Sequence, residues 1–511
     1  MHVRRLQWVI ATGVLALSVS ISAPANAMQA AASPAADASR SADSRDQFAA
    51  ARAAIQKTIE EGKIPSIAVA VVKDGKIIWE EGFGWADKEK KVRATAHTAY
   101  SLASVTKPIT ATAVMKLHEA RALDLDQPIE HYLGGVKLTG HAGSSAGVTA
   151  RRIMSHSAGL PLYGHFYLDG APPAGSVDTI SRFGMVVFPP GTRFEYSNIG
   201  MKLLDAAIER VSGSSYGDYL RREIFLPLGM KNSAVGLPPG AVAATRYDAK
   251  RNPMPFYLTD HPGSGDVWSS AHDMARFLAF HMGTPLPGQR QILSRFTRLG
   301  MQRPASAFPM PTPSGAPRRD VGANWIVSAA GGHPRIWHSG GQPGTSTYVG
   351  FYPDQKIAVV VLANSSAPTG QIVKDILDTV APEVAPREFE EPPPSPRPIP
   401  FRGTWVGTVA NYAGNQPLVL TFQENGEVRV QLAQQASVTL SRPAFVDGAL
   451  TGQFDATINI PQARAHPHQL SLKLVPSKGE LVGQLIATAV HEKVGLMLPS
   501  FVRLRAATGV R

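Results

Sequence analysis

Apolar residues recur at helical spacing in the segment that begins near Asp46 and ends at Gly62. A helix is predicted there, because the glycine and the proline that soon follows it stop helices. The next stretch, SIAVAVVKDGKIIWEEGFG, has the β-branched composition of two strands. They are joined at Asp74-Gly75, a dipeptide that suits a tight hairpin turn. The pattern therefore predicts a helix followed by a β-hairpin.

The pattern changes twice more before residue 385. A second helix is predicted from about Ser104 to Ala122, and the region from about 146 to 299 is mostly helical with Gly/Pro-rich loops. Near Trp325 strand-like segments return as IVSAAGG, TSTYVGFYP and KIAVVVLANSS, and a closing helix is predicted from Ile372 to Val380. Strands at both ends with helices between them predict an α/β (α+β) fold, in which one antiparallel sheet is flanked by helices and carries a helical subdomain.

A proline-rich stretch, PREFEEPPPSPRPIP at residues 386–400, is the clearest boundary in the chain. Its composition is typical of a semi-rigid linker. After it, short alternating strands follow one another through residues 401–511, and one pair turns at Asn425-Gly426. The predicted organisation is thus a first domain at 48–385, a linker, and a small all-β accessory domain that is a barrel or a sandwich.

The start of the chain has the pattern of a secretory signal peptide. Two arginines precede an apolar run from Trp8 to Ile21, and a small-residue motif ends at Ala27. The run is shorter than the roughly 20 residues that a helix needs to span a bilayer, so residues 1–27 are predicted to be cleaved after Ala27. Residues 28–47, rich in Ala and Ser, are predicted to be a disordered lead-in. The mature protein is therefore expected in the periplasm or outside the cell, without a stable membrane anchor.

The composition of the chain excludes some kinds of chemistry and some classes of partner. The 511 residues contain no cysteine, which excludes disulfides, lipid-modified cysteine and thiolate metal ligands. The net charge of +12 is compatible with an acidic partner. However, the basic residues are scattered, and no basic stripe is interleaved with aromatic residues. No nucleic-acid partner is therefore predicted.

Ser104-Val105-Thr106-Lys107 is the first candidate for chemistry. On a helix, residues three apart share a face, so the Lys107 amine can reach the Ser104 hydroxyl. A lysine whose pKa is lowered by burial or by a neighbouring cation can accept the serine proton and make the serine a nucleophile. Taken alone, these four residues fit a helix-capping serine and a solvated lysine equally well.

Tyr196-Ser197-Asn198, in the segment PPGTRFEYSN, is the second candidate. A phenol beside a cationic lysine loses its proton more easily, and an amide can orient Lys107 and a substrate carbonyl. Taken alone, the motif also fits a buried tyrosine followed by an asparagine cap.

The third candidate is His338-Ser339-Gly340-Gly341, between two strand-like segments. Adjacent glycines on a strand let a substrate approach closely and expose N–H groups that can form an oxyanion hole. A histidine followed by two glycines is otherwise typical of a turn.

In this order and at these separations, the three motifs resemble the serine β-lactamase and penicillin-binding-protein superfamily, in its class C-like branch of β-lactamases, D-peptidases and esterases. The resemblance covers about residues 48–385 and includes the flanks YSLASVTKPITA, IMSHSAGLP and GSGDVWSSAHDMARF. It implies a β-lactamase/transpeptidase-like fold and a covalent acyl-enzyme. Ser104 would be the nucleophile, Lys107 its proton acceptor, and Tyr196 the base or acid that protonates the leaving group and activates the deacylating water.

The resemblance also implies the binding groups. Asn198 would hold the substrate and Lys107, and the backbone N–H groups of Ser104 and Gly341 would form the oxyanion hole. The strand edge where substrate lies would consist of His338, Ser339 and Gly340. No cofactor is implied, and no metal is predicted, because neither His-Glu pair in the chain has a second histidine three residues after the glutamate.

One departure from the family pattern bears on the substrate. Where dedicated β-lactamases of the superfamily usually carry Lys-Thr-Gly, this chain has His338-Ser339-Gly340, and histidine is mostly neutral above its ordinary pKa of about 6.5. Related D-peptidases do use histidine here. The predicted function is therefore an exported serine hydrolase that acts on esters, D-amino-acid amides or small peptides.

Two alternatives stay open. The enzymatic one is a true β-lactamase or a D-alanyl-D-alanine carboxypeptidase. The other is a penicillin-binding envelope receptor that is acylated without turnover. The sequence does not determine the oligomeric state or the role of the C-terminal β domain.

Two features flank the candidate motifs. His156, in IMSHSAGLP, is expected to hold its loop rather than to react. The segment from Leu162 to Gly175 mixes aromatic residues with glycine and proline. It is either a substrate lid or an ordinary packed surface loop.

Overall fold

The computed structural model describes residues 47–168, 170–312, 317–385, 398–491 and 494–507. The predicted signal peptide, nearly all of the predicted lead-in and most of the proline-rich linker lie outside these residues. Among the described helices, none combines the length and the apolar character needed to cross a membrane.

The strands of the described chain, in sequence order, are β1 Ser66–Lys73, β2 Lys76–Asp87, β3 Val92–Arg93, β4 Tyr100–Ser101, β5 Thr139–Gly140, β6 Gly164–Leu168, β7 Met185–Val186, β8 Ala234–Val235, β9 Tyr257–Thr259, β10 Val267–Ser269, β11 Asp320–Val321, β12 Ile326–Ala330, β13 His333–Gln342, β14 Thr345–Tyr352, β15 Ile357–Ala363, β16 Gly403–Asn411, β17 Gly414–Phe422, β18 Val428–Leu432, β19 Val438–Thr439, β20 Ser441–Val446, β21 Ala449–Phe454, β22 Gln469–Ser477, β23 Glu480–His491 and β24 Val494–Ala506.

The α-helices are α1 Ala49–Glu60, α2 Thr106–Glu119, α3 Ala150–Met154, α4 Ser176–Phe183, α5 Asn198–Ser212, α6 Tyr216–Leu220, α7 Leu226–Leu228, α8 Pro262–Gly265, α9 Ala271–Met282, α10 Arg295–Gly300, α11 Thr369–Val380 and α12 Pro461–Arg464.

The central sheet has eight antiparallel strands in the order β11-β12-β13-β14-β15-β1-β2-β3. The hairpin of β1 and β2 turns at Asp74 and Gly75, whose φ angles of 48° and 73° are both left-handed. This is the geometry that a tight two-residue hairpin requires. Strand β15 pairs with β1, starting at Ile67↔Ala363. The sheet is thus assembled from both ends of the first domain, which confirms the α/β prediction.

Helices cover both faces of this sheet. Strand β1 is buried along nearly its whole length, as is typical of a strand with packed elements on each side. Its Val69 points into a core shared with α1 and α11. Its Ala68 and Ala70 point into the opposite core, which contains the helical region and α2. The predicted second helix begins with a 3₁₀ turn at Ala103–Val105 and continues as α2.

The C-terminal β domain is a nearly closed, barrel-like antiparallel sheet in the order β19-β18-β17-β16-β24-β23-β22-β21-β20. The strand pattern predicted most of it but did not include β20 or β24. A glycine and a proline, Gly495 and Pro499, interrupt the apolar pattern of β24, and proline normally argues against a strand. Tertiary pairing with both β23 and β16 overrides that local signal.

Strand β6 joins the two predicted domains. It pairs with β24 at Phe166↔Gly495 and with β9 at Phe166↔Thr259. The segment considered as a lid or a surface loop therefore contains a strand that is hydrogen-bonded on both sides. All described residues belong to one compact unit, Ser44–Arg511.

Candidate active site

Ser104 and Lys107 meet at the start of α2. Ser104 lies in the 3₁₀ turn that precedes the helix, and Lys107 lies in its first turn. The Lys107 Nζ atom is 3.1 Å from Ser104 Oγ and 3.0 Å from the carbonyl oxygen of Ser264. Ala103, just before the serine, has a φ of 48°, a left-handed conformation that a residue with a Cβ rarely adopts. The turn thus presents the hydroxyl to the amine, as the spacing predicts.

The Lys107 amine is fully buried, and no carboxylate in the described chain pairs with it. Burial lowers the pKa of Lys107 well below the ordinary lysine value, because a buried charge loses its hydration. An amine with such a pKa is neutral at lower pH than an exposed lysine. Its lone pair can then accept the proton of Ser104.

Tyr196 lies beside this pair, with its ring centroid 4.8 Å from Lys107 Nζ. Burial raises the pKa of Tyr196, and a hydrogen bond with Ser104 offsets part of that increase. The phenol is therefore protonated in the resting site. This differs from the sequence-based expectation of a phenol acidified by a lysine cation, because the lysine itself is buried and its pKa is lowered.

His156 supports the tyrosine. Its ring packs on that of Tyr196 at a centroid distance of 4.3 Å, and its Nδ1 accepts a hydrogen bond from the backbone N–H of Ser197 at 3.2 Å. Burial, with a smaller contribution from Lys107, lowers the pKa of His156 well below 6.5. A neutral histidine that accepts this backbone N–H holds the Tyr196 loop in place.

Asn198 is the first residue of α5, after the Ser197 side chain that caps the helix by accepting the N–H of Gly200. The Asn198 Nδ2 group donates to the carbonyl of Tyr163 at 2.8 Å. Its Oδ1 is buried and has no hydrogen-bond partner in the described chain. An unpaired buried acceptor is costly, so this oxygen is available to a bound N–H donor.

His338 begins an open strand edge. Pairing of β13 with β12 reaches Trp337, whereas pairing with β14 on the other side continues to Gln342. Burial, with a smaller effect of Lys107, lowers the pKa of His338 to about 3. The His338 Nδ1 is 2.6 Å from the Ser339 carbonyl, which fits an N–H donor at that nitrogen. This histidine is therefore neutral around pH 7 and supplies no cation.

The two glycines that follow have different surroundings. A Cβ on Gly340 would lie 2.4 Å from the carbonyl oxygen of Leu102 and 2.3 Å from Thr347 Oγ1. Thr347 Oγ1 itself donates to the Leu102 carbonyl at 2.8 Å. A Cβ on Gly341 would have no atom within 4 Å. Strand β13 thus packs at Gly340 against the backbone that leads to Ser104, and at Gly341 it faces open space.

This contrast predicts the outcome of two matched substitutions. Gly340→Ala is expected to destabilise the protein by about 1–3 kcal/mol, because the backbone of Leu102 must move to admit a methyl group. Gly341→Ala is expected to change stability much less. Urea unfolding of both variants measures the difference, and equal midpoints would show that the close packing of β13 on the Ser104 turn is not needed.

The Ser264 carbonyl is a site group that the sequence reasoning did not assign. The short helix α8 is held by Thr110 Oγ1, which donates to the Gly263 carbonyl at 2.7 Å, and by Asp205, which accepts the Gly263 N–H at 2.9 Å. The resemblance included the flank GSGDVWSS without giving it a role. A backbone carbonyl has no side-chain signature, so only the fold could reveal its contact with Lys107.

A serine and a buried lysine one helical turn apart, facing a phenol on this sheet-and-helix fold, define a serine hydrolase of the β-lactamase type. The family model described as Beta-lactamase matches residues 51–380, and the chain belongs to that family.

Individual relatives agree with this assignment. The chain is 28% identical over 327 residues to "Penicillin-binding protein 4*" of Bacillus subtilis (strain 168), a match that spans 59% of this chain and 68% of that protein. It resembles the octameric penicillin-binding protein homologue from Pyrococcus abyssi with a TM-score of 0.56 and 23% identity, over 88% of this chain and 99% of that one. It also resembles the D-amino acid amidase from Ochrobactrum anthropi SV3 with a TM-score of 0.53 and 24% identity, over 66% and 99% of the two chains. The two structural likenesses show a shared fold.

Proposed function

We propose that this protein is an exported serine hydrolase that forms a covalent acyl-enzyme on Ser104 and acts on esters, D-amino-acid amides or small peptides. One observation carries the proposal. The buried Lys107 amine, with its lowered pKa, lies 3.1 Å from the Ser104 hydroxyl oxygen. A neutral amine at that distance is positioned to accept the hydroxyl proton, which makes serine a nucleophile.

In acylation, Ser104 Oγ attacks the substrate carbonyl carbon while its proton passes to Lys107 Nζ. The negative charge that forms on the carbonyl oxygen is stabilised by the backbone N–H groups of Ser104 and Gly341. The open edge of β13 supports this role, because β12 no longer pairs with β13 at Gly341 and a carbonyl oxygen can approach that edge. The bond to the leaving group then breaks, and the phenol of Tyr196 gives the leaving group its proton. The proton held by Lys107 restores the phenol.

In deacylation, a water molecule attacks the acyl-enzyme carbonyl. Its proton passes to the Lys107 and Tyr196 pair, and Ser104 Oγ leaves with a proton from the same pair. The net reaction of the two steps is the hydrolysis of one ester or amide bond by one water molecule. The lowered pKa of Lys107 and the raised pKa of Tyr196 support a mechanism in which one proton circulates among these three side chains.

The surroundings of the serine favour substrates that have an N–H group and lack a carboxylate beside the scissile bond. The unpaired Asn198 Oδ1 can accept an amide N–H, and the neutral His338 offers no charge to a substrate carboxylate. The likeness to a D-amino acid amidase supports amides of this kind. Because β-lactams and D-alanyl-D-alanine peptides carry such a carboxylate, a β-lactamase or a carboxypeptidase is the weaker enzymatic candidate. Export rests on the signal-peptide pattern of the first 27 residues.

Covalent labelling of the mature protein tests the proposal. A fluorescent fluorophosphonate and a fluorescent penicillin are applied separately, each label is followed over time, and the modified peptide is identified by mass spectrometry. We expect the fluorophosphonate to modify Ser104, and p-nitrophenyl esters or D-amino-acid anilides to be hydrolysed. Modification of a different residue would contradict the mechanism. A long-lived penicillin adduct without turnover would instead identify a receptor, and rapid cephalosporin hydrolysis would identify a β-lactamase.

A further inference from the structure

A cavity of about 490 Å³ lies between Tyr196 and the C-terminal β domain. Leu162, Phe194 and Tyr196 line it from the first domain, and residues of β21, β22 and β23 line it from the other side. The volume lies within the range of pockets that bind small molecules. The cavity therefore adjoins one of the three side chains proposed to handle the proton.

The wall from the C-terminal domain is one face of its sheet. Across the strands, Gln453 pairs with Ser471 and Ser471 with Ile486, so their side chains point to the same side. A parallel row is formed by Thr451, Lys473 and Gln484. Ile486 is only 8% exposed, although it lies on this outer face of the sheet. The first domain thus covers an apolar side chain of the β domain beside the cavity.

Glu195, the residue before Tyr196, connects the two walls. Its carboxylate accepts hydrogen bonds from Lys473 Nζ at 2.6 Å and from Gln484 Nε2 at 2.8 Å. Gln484 Oε1 in turn accepts the backbone N–H of Leu162 at 3.2 Å. The Glu195 side chain is 5% exposed and that of Lys473 is 30% exposed, so the carboxylate is shielded from water while the lysine is partly exposed. Arg193 Nε also lies 3.7 Å from the Glu195 carboxylate. These contacts hold the walls together, and although Arg442 also lines the cavity, most of the cavity surface is apolar.

The place of Tyr196 decides which part of a substrate fits here. In the proposed mechanism the phenol protonates the leaving group, so the leaving group must lie on the tyrosine side of the scissile bond. We infer that the cavity binds an apolar leaving group, aromatic or branched aliphatic, and that the C-terminal β domain supplies this specificity subsite. The inference rests on the proposed function and adds the class of leaving group to it.

Two ester series separate this subsite from an acyl subsite. One series keeps acetate and changes the alcohol from methyl to butyl to benzyl, and the other keeps methanol and changes the acid from acetate to butyrate to phenylacetate. For the wild-type protein, kcat/KM is expected to increase about tenfold or more from methyl to benzyl acetate, as apolar pockets discriminate by such factors. A flat alcohol series would overturn the inference.

Variants of the wall make the test specific. Ser471→Trp, which fills the cavity, is expected to reduce the benzyl-to-methyl ratio of kcat/KM towards one, and Thr451→Phe should act in the same way if the first variant folds poorly. Val406→Trp is the matched control, because Val406 lies on β16 of the same sheet with 42% exposure and does not line the cavity. It should leave the ratio unchanged.

Fluorophosphonate labelling distinguishes failure of the proposed function from failure of the subsite inference. If wild-type Ser104 is not labelled, the proposed function fails, and the subsite inference fails with it. If Ser104 is labelled but Ser471→Trp changes the acid series instead of the alcohol series, the cavity binds the acyl group and the inference is wrong. If neither series changes in a folded Ser471→Trp variant, the cavity is not a substrate subsite.

Discussion

Ser104→Ala is expected to reduce kcat for ester hydrolysis by at least about 10⁴-fold, because loss of a nucleophile removes the covalent route altogether. The folded structure should tolerate the change. Ser104 is half-buried, and the Lys107 amine keeps its bond to the Ser264 carbonyl when the hydroxyl is gone. Steady-state kinetics and a thermal melt of the same preparation therefore separate loss of chemistry from loss of fold.

Ser155→Ala is a suitable control for this experiment. The Ser155 hydroxyl is buried and lies 2.9 Å from that of Ser157, so the substitution also removes a hydrogen-bonded hydroxyl near the active site. Turnover should stay within about tenfold of wild type, since this hydroxyl contacts only Ser157 and the backbone carbonyls of Arg151 and Arg152 and none of the proposed catalytic groups. If Ser104→Ala retained a similar fraction of activity, another residue would have to be the nucleophile.

Lys107→Met is expected to lower kcat/KM by about 10²- to 10⁴-fold at neutral pH, the usual contribution of a general base. Methionine keeps most of the side-chain volume in a fully buried position and removes only the amine. Stability should therefore be retained or increased, because a buried amine is costly to desolvate. Lys116→Met, on the same helix, is the matched control, since Lys116 is partly exposed and pairs with Glu223 at 3.4 Å.

The same lysine determines the expected pH dependence. Activity requires the neutral amine, so kcat/KM should fall as the pH decreases through the pKa of Lys107 and should be constant above it. Because burial lowers this pKa well below 10.5, the acidic limb should lie well below the ordinary lysine range. A profile that rises only near pH 10.5 would mean that the amine is charged in the active protein, and Lys107 could then not be the base.

The fold could be predicted where one pattern dominates a segment. The hairpin at Asp74-Gly75 and the buried strand β15 followed from turn chemistry and from an unbroken apolar run. Strand β24 could not be predicted, because its proline is tolerated only through pairing with distant strands. The link that β6 makes between the domains could not be predicted for the same reason, since its partners are strands far away in sequence.

The candidate site also contains a part that local sequence predicts and a part that it does not. Ser104 and Lys107 are three residues apart, so a local helical turn is enough to bring them together. Tyr196, Asn198 and His338 come from distant segments, and only the resemblance to a family could associate them with that pair. Nothing in the sequence indicated the Ser264 carbonyl or the contact of Glu195 with Lys473, because neither belongs to a recognisable motif.

By itself, the sequence determined which groups are available for the proposed chemistry: a serine with a lysine one turn later, a phenol, and a glycine-containing strand. Those properties belong to residue types and short spacings, which are local. Only the tertiary structure decided the directions in which the pKa values of the site groups are shifted, and the shape of the cleft. Burial of Lys107 and Tyr196, and a cavity walled by two domains, arise from contacts between segments that are distant in sequence, which no local pattern encodes.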